Sequence, residues 1–153
     1  MEEEIKRAKV KALSLLESMD RTEAQLRLKL KQKSFSEEAV EVAIEYVKSF
    51  GYINDSGYAE RFVENRKYTK SRREIFAALC QKGLEHEDIE SAIEKCYEEY
   101  NEQETIRNLV KKKKIDLEKA TEVEKKKLYD FLARKGFRHE DIRQVLQVSL
   151  WNA

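Results

Sequence analysis

A chain of 153 residues with 40% charged side chains, no proline and 4 glycines offers few positions that break a helix. Cys80 and Cys96 lack the CxxC or Cys/His spacing of a metal or redox site, and the longest apolar runs, such as Ala12-Leu13-Ser14-Leu15-Leu16, are too short to span a membrane. The formal net charge of +1 excludes a histone-like polycation, so any affinity for nucleic acid must come from local patches.

The first predicted helix runs from about Ile5 to Met19, with Ile5, Ala8, Ala12, Leu16 and Met19 on one face. Thr22-Glu23-Ala24-Gln25 reads as a capping box opening a second helix through Leu26 and Leu30 to about Lys33. Ser36 caps a third, whose buried stripe is Val40, Ala43, Ile44 and Val47, and Phe50-Gly51 closes it. Asn54 or Asp55 then starts a helix holding Tyr58, Ala59, Phe62, Val63 and Arg66. Ser71-Arg72-Arg73-Glu74 is a second capping box, 49 residues after Thr22, and opens a helix carrying Ile75, Ala78 and Leu79. The next helix presents Ile89, Ala92, Ile93 and Cys96 and is expected to run to about Tyr100. The last three are read from Asn101 (Thr105, Ile106, Leu109, Val110), from Thr121-Glu122-Val123-Glu124 (Leu128, Phe131, Leu132) and over Ile142, Val145, Leu146 and Leu150. Trp151 is expected to fold back on the end of that last helix.

The same pattern occurs three times. Leu30-Lys31-Gln32-Lys33-Ser34-Phe35 recurs as Leu79-Cys80-Gln81-Lys82-Gly83-Leu84 and as Leu132-Ala133-Arg134-Lys135-Gly136-Phe137, at offsets of 49 and 53 residues. The fold class predicted is therefore all-α: three tandem three-helix repeats, about 1–52, 53–100 and 101–153, in one elongated, curved right-handed or solenoid-like array that unfolds cooperatively. A glycine at 83 and 136 can take the left-handed conformation that ends a helix, while Ser34 stands there at a cost of about 1 kcal/mol. By alignment Cys80 faces partly outward and Cys96 inward.

Charge is unevenly spread. Lys and Arg against Asp and Glu number 10 and 10 over residues 1–54, 8 and 11 over 55–100, and 13 and 9 over 101–153. Lys33, Lys82 and Lys135 are identical in all copies, either as cations on helix C-terminal carbonyls or as a ridge that tracks an anionic partner. His86 and His139 align with Glu37, which makes them polar first-turn residues rather than catalytic or metal-binding ones. Arg66-Lys67-Tyr68-Thr69-Lys70-Ser71-Arg72-Arg73 holds five cations and no acid, and the Ser71 cap aims helix N-terminal amides into it as a natural anion site. Lys111 to Lys114 and Lys125 to Lys127 are further basic runs. No Gly-rich phosphate loop, GxSxG or HExxH occurs, so neither an enzyme nor a cofactor is expected. The acidic start Met1-Glu2-Glu3-Glu4 has no apolar signal core, from which a cytoplasmic location is expected.

Gly51-Tyr52-Ile53-Asn54-Asp55-Ser56-Gly57-Tyr58-Ala59-Glu60-Arg61-Phe62-Val63-Glu64-Asn65-Arg66 resembles the signature of the RecX family, bacterial regulators of the RecA recombinase. Thr22 to Leu30 resembles the family's first-repeat pattern, and Phe131 to Phe137 with Asp141-Ile142 its C-terminal one, so the likeness spans about residues 8 to 150. The family's glycine within the basic turn is replaced by Lys70-Ser71-Arg72-Arg73. The resemblance implies a cytoplasmic monomer that lodges in the groove of the RecA–DNA filament, restrains its ATPase, co-protease and strand-exchange activities, and meets DNA weakly or through RecA. Arg66, Lys67, Lys70, Arg72 and Arg73, with Lys33, Lys82 and Lys135, are the expected contacts. The alternative is a tandem helix-turn-helix DNA reader acting without RecA, against which stand acidic third-helix starts such as Glu85-His86-Glu87-Asp88. A peptide-binding TPR scaffold has the wrong period.

Overall fold

A computed structural model describes residues 1–148, which form nine α-helices and no strand. In chain order these are α1 (Glu2–Ser18), α2 (Glu23–Gln32), α3 (Glu37–Ser49), α4 (Asp55–Arg66), α5 (Arg72–Gln81), α6 (His86–Cys96), α7 (Glu102–Lys112), α8 (Glu122–Arg134) and α9 (His139–Leu146). The fold is all-α and follows the three-helix repeat of the sequence. Among the described residues, no helix is long and apolar enough to cross a membrane. The expectations for Leu150 and Trp151 fall outside the described residues.

Local chemistry sets the helix starts. The Thr22 side chain accepts from the Gln25 N–H while the Gln25 side chain accepts from the Thr22 N–H; Ser71 with Glu74 and Thr121 with Glu124 do the same. Ser36 caps α3, and the Asn54 side chain accepts from the Gly57 N–H at the start of α4.

Three boundaries differ from expectation, the last being α9, which ends at Leu146 on a left-handed Gln147 instead of continuing toward Leu150. Helix α1 begins at Glu2, because three successive glutamates suit the positive end of a helix dipole. Helix α6 stops at Cys96 rather than near Tyr100, because the Lys67 ammonium takes the Cys96 carbonyl at 3.2 Å. In a longer helix that carbonyl would accept the Tyr100 N–H.

The described residues pack as two compact units, Met1–Arg61 with Leu79–Ser91, and Phe62–Ala78 with 92–148. The first has a core of Ala8, Ala12, Leu26, Leu30, Val40, Ile44 and Val47, bounded by half-buried Ile5, Leu16 and Phe35. The second centres on Ile106, Leu128, Leu132, Phe137, Ile142 and Leu146. The repeated turns have the expected left-handed backbone, with φ of 68° at Ser34, 83° at Gly83 and 95° at Gly136. Leu84 and Phe137 accordingly fold back and are buried.

Within the first unit, the turn after α5 makes a contact that no pattern in the sequence announces. Thr22 Oγ1 donates to the Lys82 carbonyl at 2.7 Å, and the Glu23 N–H donates to the Asp55 carboxylate at 3.0 Å. A Cβ on Gly83 would lie 2.3 Å from the Ala24 Cβ. The second unit repeats the device: Ser71 Oγ donates to the Lys135 carbonyl, the Arg72 N–H to Glu102 Oε2 at 3.1 Å, and a Cβ on Gly136 would lie 2.6 Å from Arg73 Cδ. In both, the Lys-Gly turn of one repeat closes on the first turn of the preceding repeat's second helix. Ser34 is exposed, so the first repeat tolerates a side chain where Gly83 and Gly136 have no room for one.

Candidate interaction surface

The connection from α4 to α5 lies in the second unit and is anchored from beneath by its own lysine. Lys67 is only 7% exposed; its Nζ donates to Glu64 Oε1 at 2.8 Å and to the Cys96 carbonyl, and lies 4.9 Å from the centre of the Tyr100 ring. Its own carbonyl accepts from Thr105 Oγ1, and the next carbonyl, of Tyr68, accepts from Asn108 Nδ2 at 3.0 Å. Burial works against the Lys67 ammonium, but the Glu64 hydrogen bond and charge outweigh it and hold the pKa above the usual lysine value. The same bond holds the Glu64 carboxyl below its usual value. Lys67 is thus a brace for the turn.

The other cations of the turn divide by exposure. Arg66, Lys70 and Arg73 are exposed, whereas Arg72 is half-buried with its guanidinium 4.8 Å from the Tyr97 ring. Arg66 stands 5.0 Å from the Phe62 ring. Three cations therefore remain presented to solvent.

The anion site expected at the start of α5 is already filled. The Arg72 N–H is taken by Glu102 and the Ser71 N–H by Glu74, so those amides are not open to a phosphate. Burial raises the Glu102 pKa against the opposing pull of the Arg72 N–H and charge. Sequence alone could not show this, because the occupant comes from another repeat.

The matched lysines share a backbone role. Lys82 and Lys135 each offer a carbonyl to a cap hydroxyl, while Lys135 Nζ is 3.5 Å from Glu74 Oε2 and 5.1 Å from the Phe131 ring. Lys33 is exposed. His139 shares a hydrogen bond with the Tyr129 hydroxyl, and no His/Cys/Asp/Glu group among the described residues could hold a metal ion. Cys80 is half-buried and Cys96 buried, both as free thiols. Of the lysine runs, Lys113 lies 3.9 Å from the Phe131 ring and Lys126 3.9 Å from Asp130.

A further basic patch escaped the sequence pattern. Lys6, Arg7 and Lys11 of α1 line a groove with Val10, Ser14 and Phe35 in the first unit. The signal was present, since residues 5–16 contain four cations and no acid, but it lay inside a helix recognised by its buried face.

Comparison with known proteins bears on all of these surfaces. The profile of the first three-helix domain of RecX matches residues 8–46, and that of the third three-helix domain of RecX matches residues 100–146. A regulatory protein RecX of Caldanaerobacter subterraneus subsp. tengcongensis is 41% identical over 147 residues, covering 95% of this chain and 72% of that protein. One of Clostridium perfringens is 31% identical over 153 residues, covering 95% and 70%. The crystal structure of RecX from Lactobacillus salivarius shares the fold with a TM-score of 0.80 at 24% identity, covering 96% of this chain and 97% of that one.

Proposed function

The chain belongs to the RecX family, whose members are regulatory proteins, and on that footing we propose that it is a non-enzymatic regulator binding in the groove of the RecA–DNA filament. There it restrains the filament's ATPase, co-protease and strand-exchange activities, as a cytoplasmic monomer without a cofactor that meets DNA through RecA. The observation that carries this reading is the 41% identity to a RecX protein across 95% of the chain. Arg66, Lys70 and Arg73 are the contacts the geometry favours, because they are exposed on a turn fixed by the buried Lys67. Arg72 supports them from its stack on Tyr97, and Lys33 is a further exposed candidate.

The direct DNA-reading alternative is weakened by charge. The first turns of α3, α6 and α9 carry Glu37 and Glu38, Glu87 and Asp88, and Glu140 and Asp141, which a major groove would repel.

The test is to titrate the protein into preformed RecA filaments on single-stranded DNA and follow ATP turnover. Turnover should fall, and the affinity should weaken as salt rises. The triple variant Arg66→Glu, Lys70→Glu, Arg73→Glu should stay folded, since all three positions are exposed, yet lose filament binding and inhibition. Unchanged turnover with the wild type sinks the reading, and equal affinity for DNA without RecA favours the direct reader.

A further inference from the structure

Helix α1 carries two adjacent rows of side chains at helical spacing: Lys6, Val10 and Ser14, four residues apart, and beside them Arg7 and Lys11. With Phe35 they line a groove of about 460 Å³ whose surface is mainly apolar. Val10 is 67% exposed, while Ala8 and Ala12 of the same helix are fully buried. Phe35 packs against the core of the unit and also walls the groove.

The cations at this groove are engaged in no close ion pair, although the Arg7 charge helps to lower the pKa of Glu4. Lys6, Arg7 and Lys11 make no ion pair among the described residues, whereas Arg27, Lys48 and Arg61 of the same unit are each paired with an acid. An apolar floor lined by three cations outside any close ion pair, and by no acid, is complementary to a ligand with the opposite pattern.

We propose that this groove docks an acidic peptide segment of a protein partner, with a large apolar side chain seated on Val10 and Phe35 and flanking carboxylates meeting Lys6, Arg7 and Lys11. A single-stranded nucleic acid is the poorer match: it needs exposed aromatic faces on which bases stack, and the single aromatic wall is the half-buried Phe35. The proposal is independent of the basic turn, because the groove belongs to the first compact unit and Arg66, Lys70 and Arg73 to the second.

The experiment uses the full chain and fluorescence anisotropy of a fluorescein-labelled peptide, Glu-Asp-Glu-Leu-Phe-Glu-Asp-Glu. Parallel probes replace Leu-Phe with Gly-Gly, replace the acids with lysine, or consist of labelled oligothymidylate. The acidic peptide should bind saturably, and its affinity should fall about tenfold or more with Val10→Asp, with the triple change Lys6→Glu, Arg7→Glu, Lys11→Glu, and on loss of the Leu-Phe anchor. The Arg66→Glu, Lys70→Glu, Arg73→Glu variant should bind it as the wild type does. Circular dichroism checks that each variant is folded. No saturation up to about 1 mM peptide overturns the proposal, as does unchanged affinity in the groove variants. Oligothymidylate binding that those variants abolish, without peptide binding, overturns it in favour of a nucleic-acid surface.

Discussion

Thr22 with Lys82-Gly83 and Ser71 with Lys135-Gly136 are two copies of one contact, built with the same backbone geometry and different surroundings. In each, a cap hydroxyl donates to a lysine carbonyl, and a carboxylate from the next repeat, Asp55 or Glu102, takes the first amide of the helix. What differs is the face beneath the glycine: Ala24 presents its Cβ at 2.3 Å from an added Cβ, whereas Arg73 presents its Cβ less closely, at 2.8 Å, together with a movable Cδ at 2.6 Å. Lys135 is also ion-paired with Glu74. The contact therefore demands a hydroxyl, a carbonyl and a missing Cβ, and the remaining side chains have diversified around those demands. This accounts for glycine in two copies of the turn and serine in the third better than helix capping alone, which all three satisfy through positive φ.

Glycine substitution should separate the copies most strongly. Gly83→Ala adds a left-handed penalty to a clash with a rigid neighbour and should cost about 3 kcal/mol. Gly136→Ala meets Arg73 Cδ at 2.6 Å, which can swing aside, and Arg73 Cβ at 2.8 Å, which cannot but stands farther off than the Ala24 Cβ does from Gly83, and should cost about 2 kcal/mol. Gly51 has a φ of 74° and nothing within 4 Å, so Gly51→Ala should cost only about 1 kcal/mol. Urea denaturation gives the ranking, and a Gly83→Ala variant no weaker than Gly51→Ala would remove the close approach from the account. Because α4, α5 and α6 contribute residues to both compact units, we propose that the chain unfolds as one array. Gly83→Ala should then lower the hydrogen-exchange midpoints of α2 and α8 together, and a shift confined to α2 would mean independent units.

The hydroxyls come next. Thr22→Ala and Ser71→Ala each remove a cap and a bond to a carbonyl, for about 2 kcal/mol, while Thr22→Ser and Ser71→Thr should keep both. Thr121 caps α8 in an exposed position, so Thr121→Ala should cost about 1 kcal/mol. The excess at 22 and 71 measures the carbonyl bond, and equal losses at all three sites would show that it contributes nothing.

The smallest effect is a pH dependence of opposite sign at related carboxylates. Burial raises Asp55 and Glu102 above their ordinary values of 3.8 and 4.5. Their contribution to stability is thus fullest below those ordinary values and is lost as pH rises through the raised ones. Asp55→Asn and Glu102→Gln should therefore gain on the wild type as pH climbs through the mildly acid range. Glu4, bonded to the Ser36 N–H and hydroxyl, is lowered from 4.5, so its contribution is present above that value and lost as pH falls through the lowered one. Glu4→Gln should accordingly lose on the wild type as pH rises across that window. Denaturation midpoints measured across pH read all three, and a Glu102→Gln curve parallel to the wild type would mean that Glu102 is not desolvated.

Much of this molecule was legible in its residues. The Thr22 and Ser71 boxes, the Ser36 cap, the left-handed turns and the buried stripes of α3 and α9 all follow from spacings of three and four residues, because caps and helical faces depend on neighbours within a turn. Membership of the RecX family was likewise visible in the residues around Tyr52 to Val63. Which cation of the basic turn is buried was not visible, since Lys67 is claimed by the Cys96 carbonyl and the Tyr100 ring, some thirty residues along the chain. The filling of the α5 amides by Glu102 was equally hidden, and so was the clash that excludes a side chain at Gly83. Each of these depends on desolvation and close approach between segments far apart in sequence, and periodicity records what a residue faces along its own helix, not what the fold brings against it.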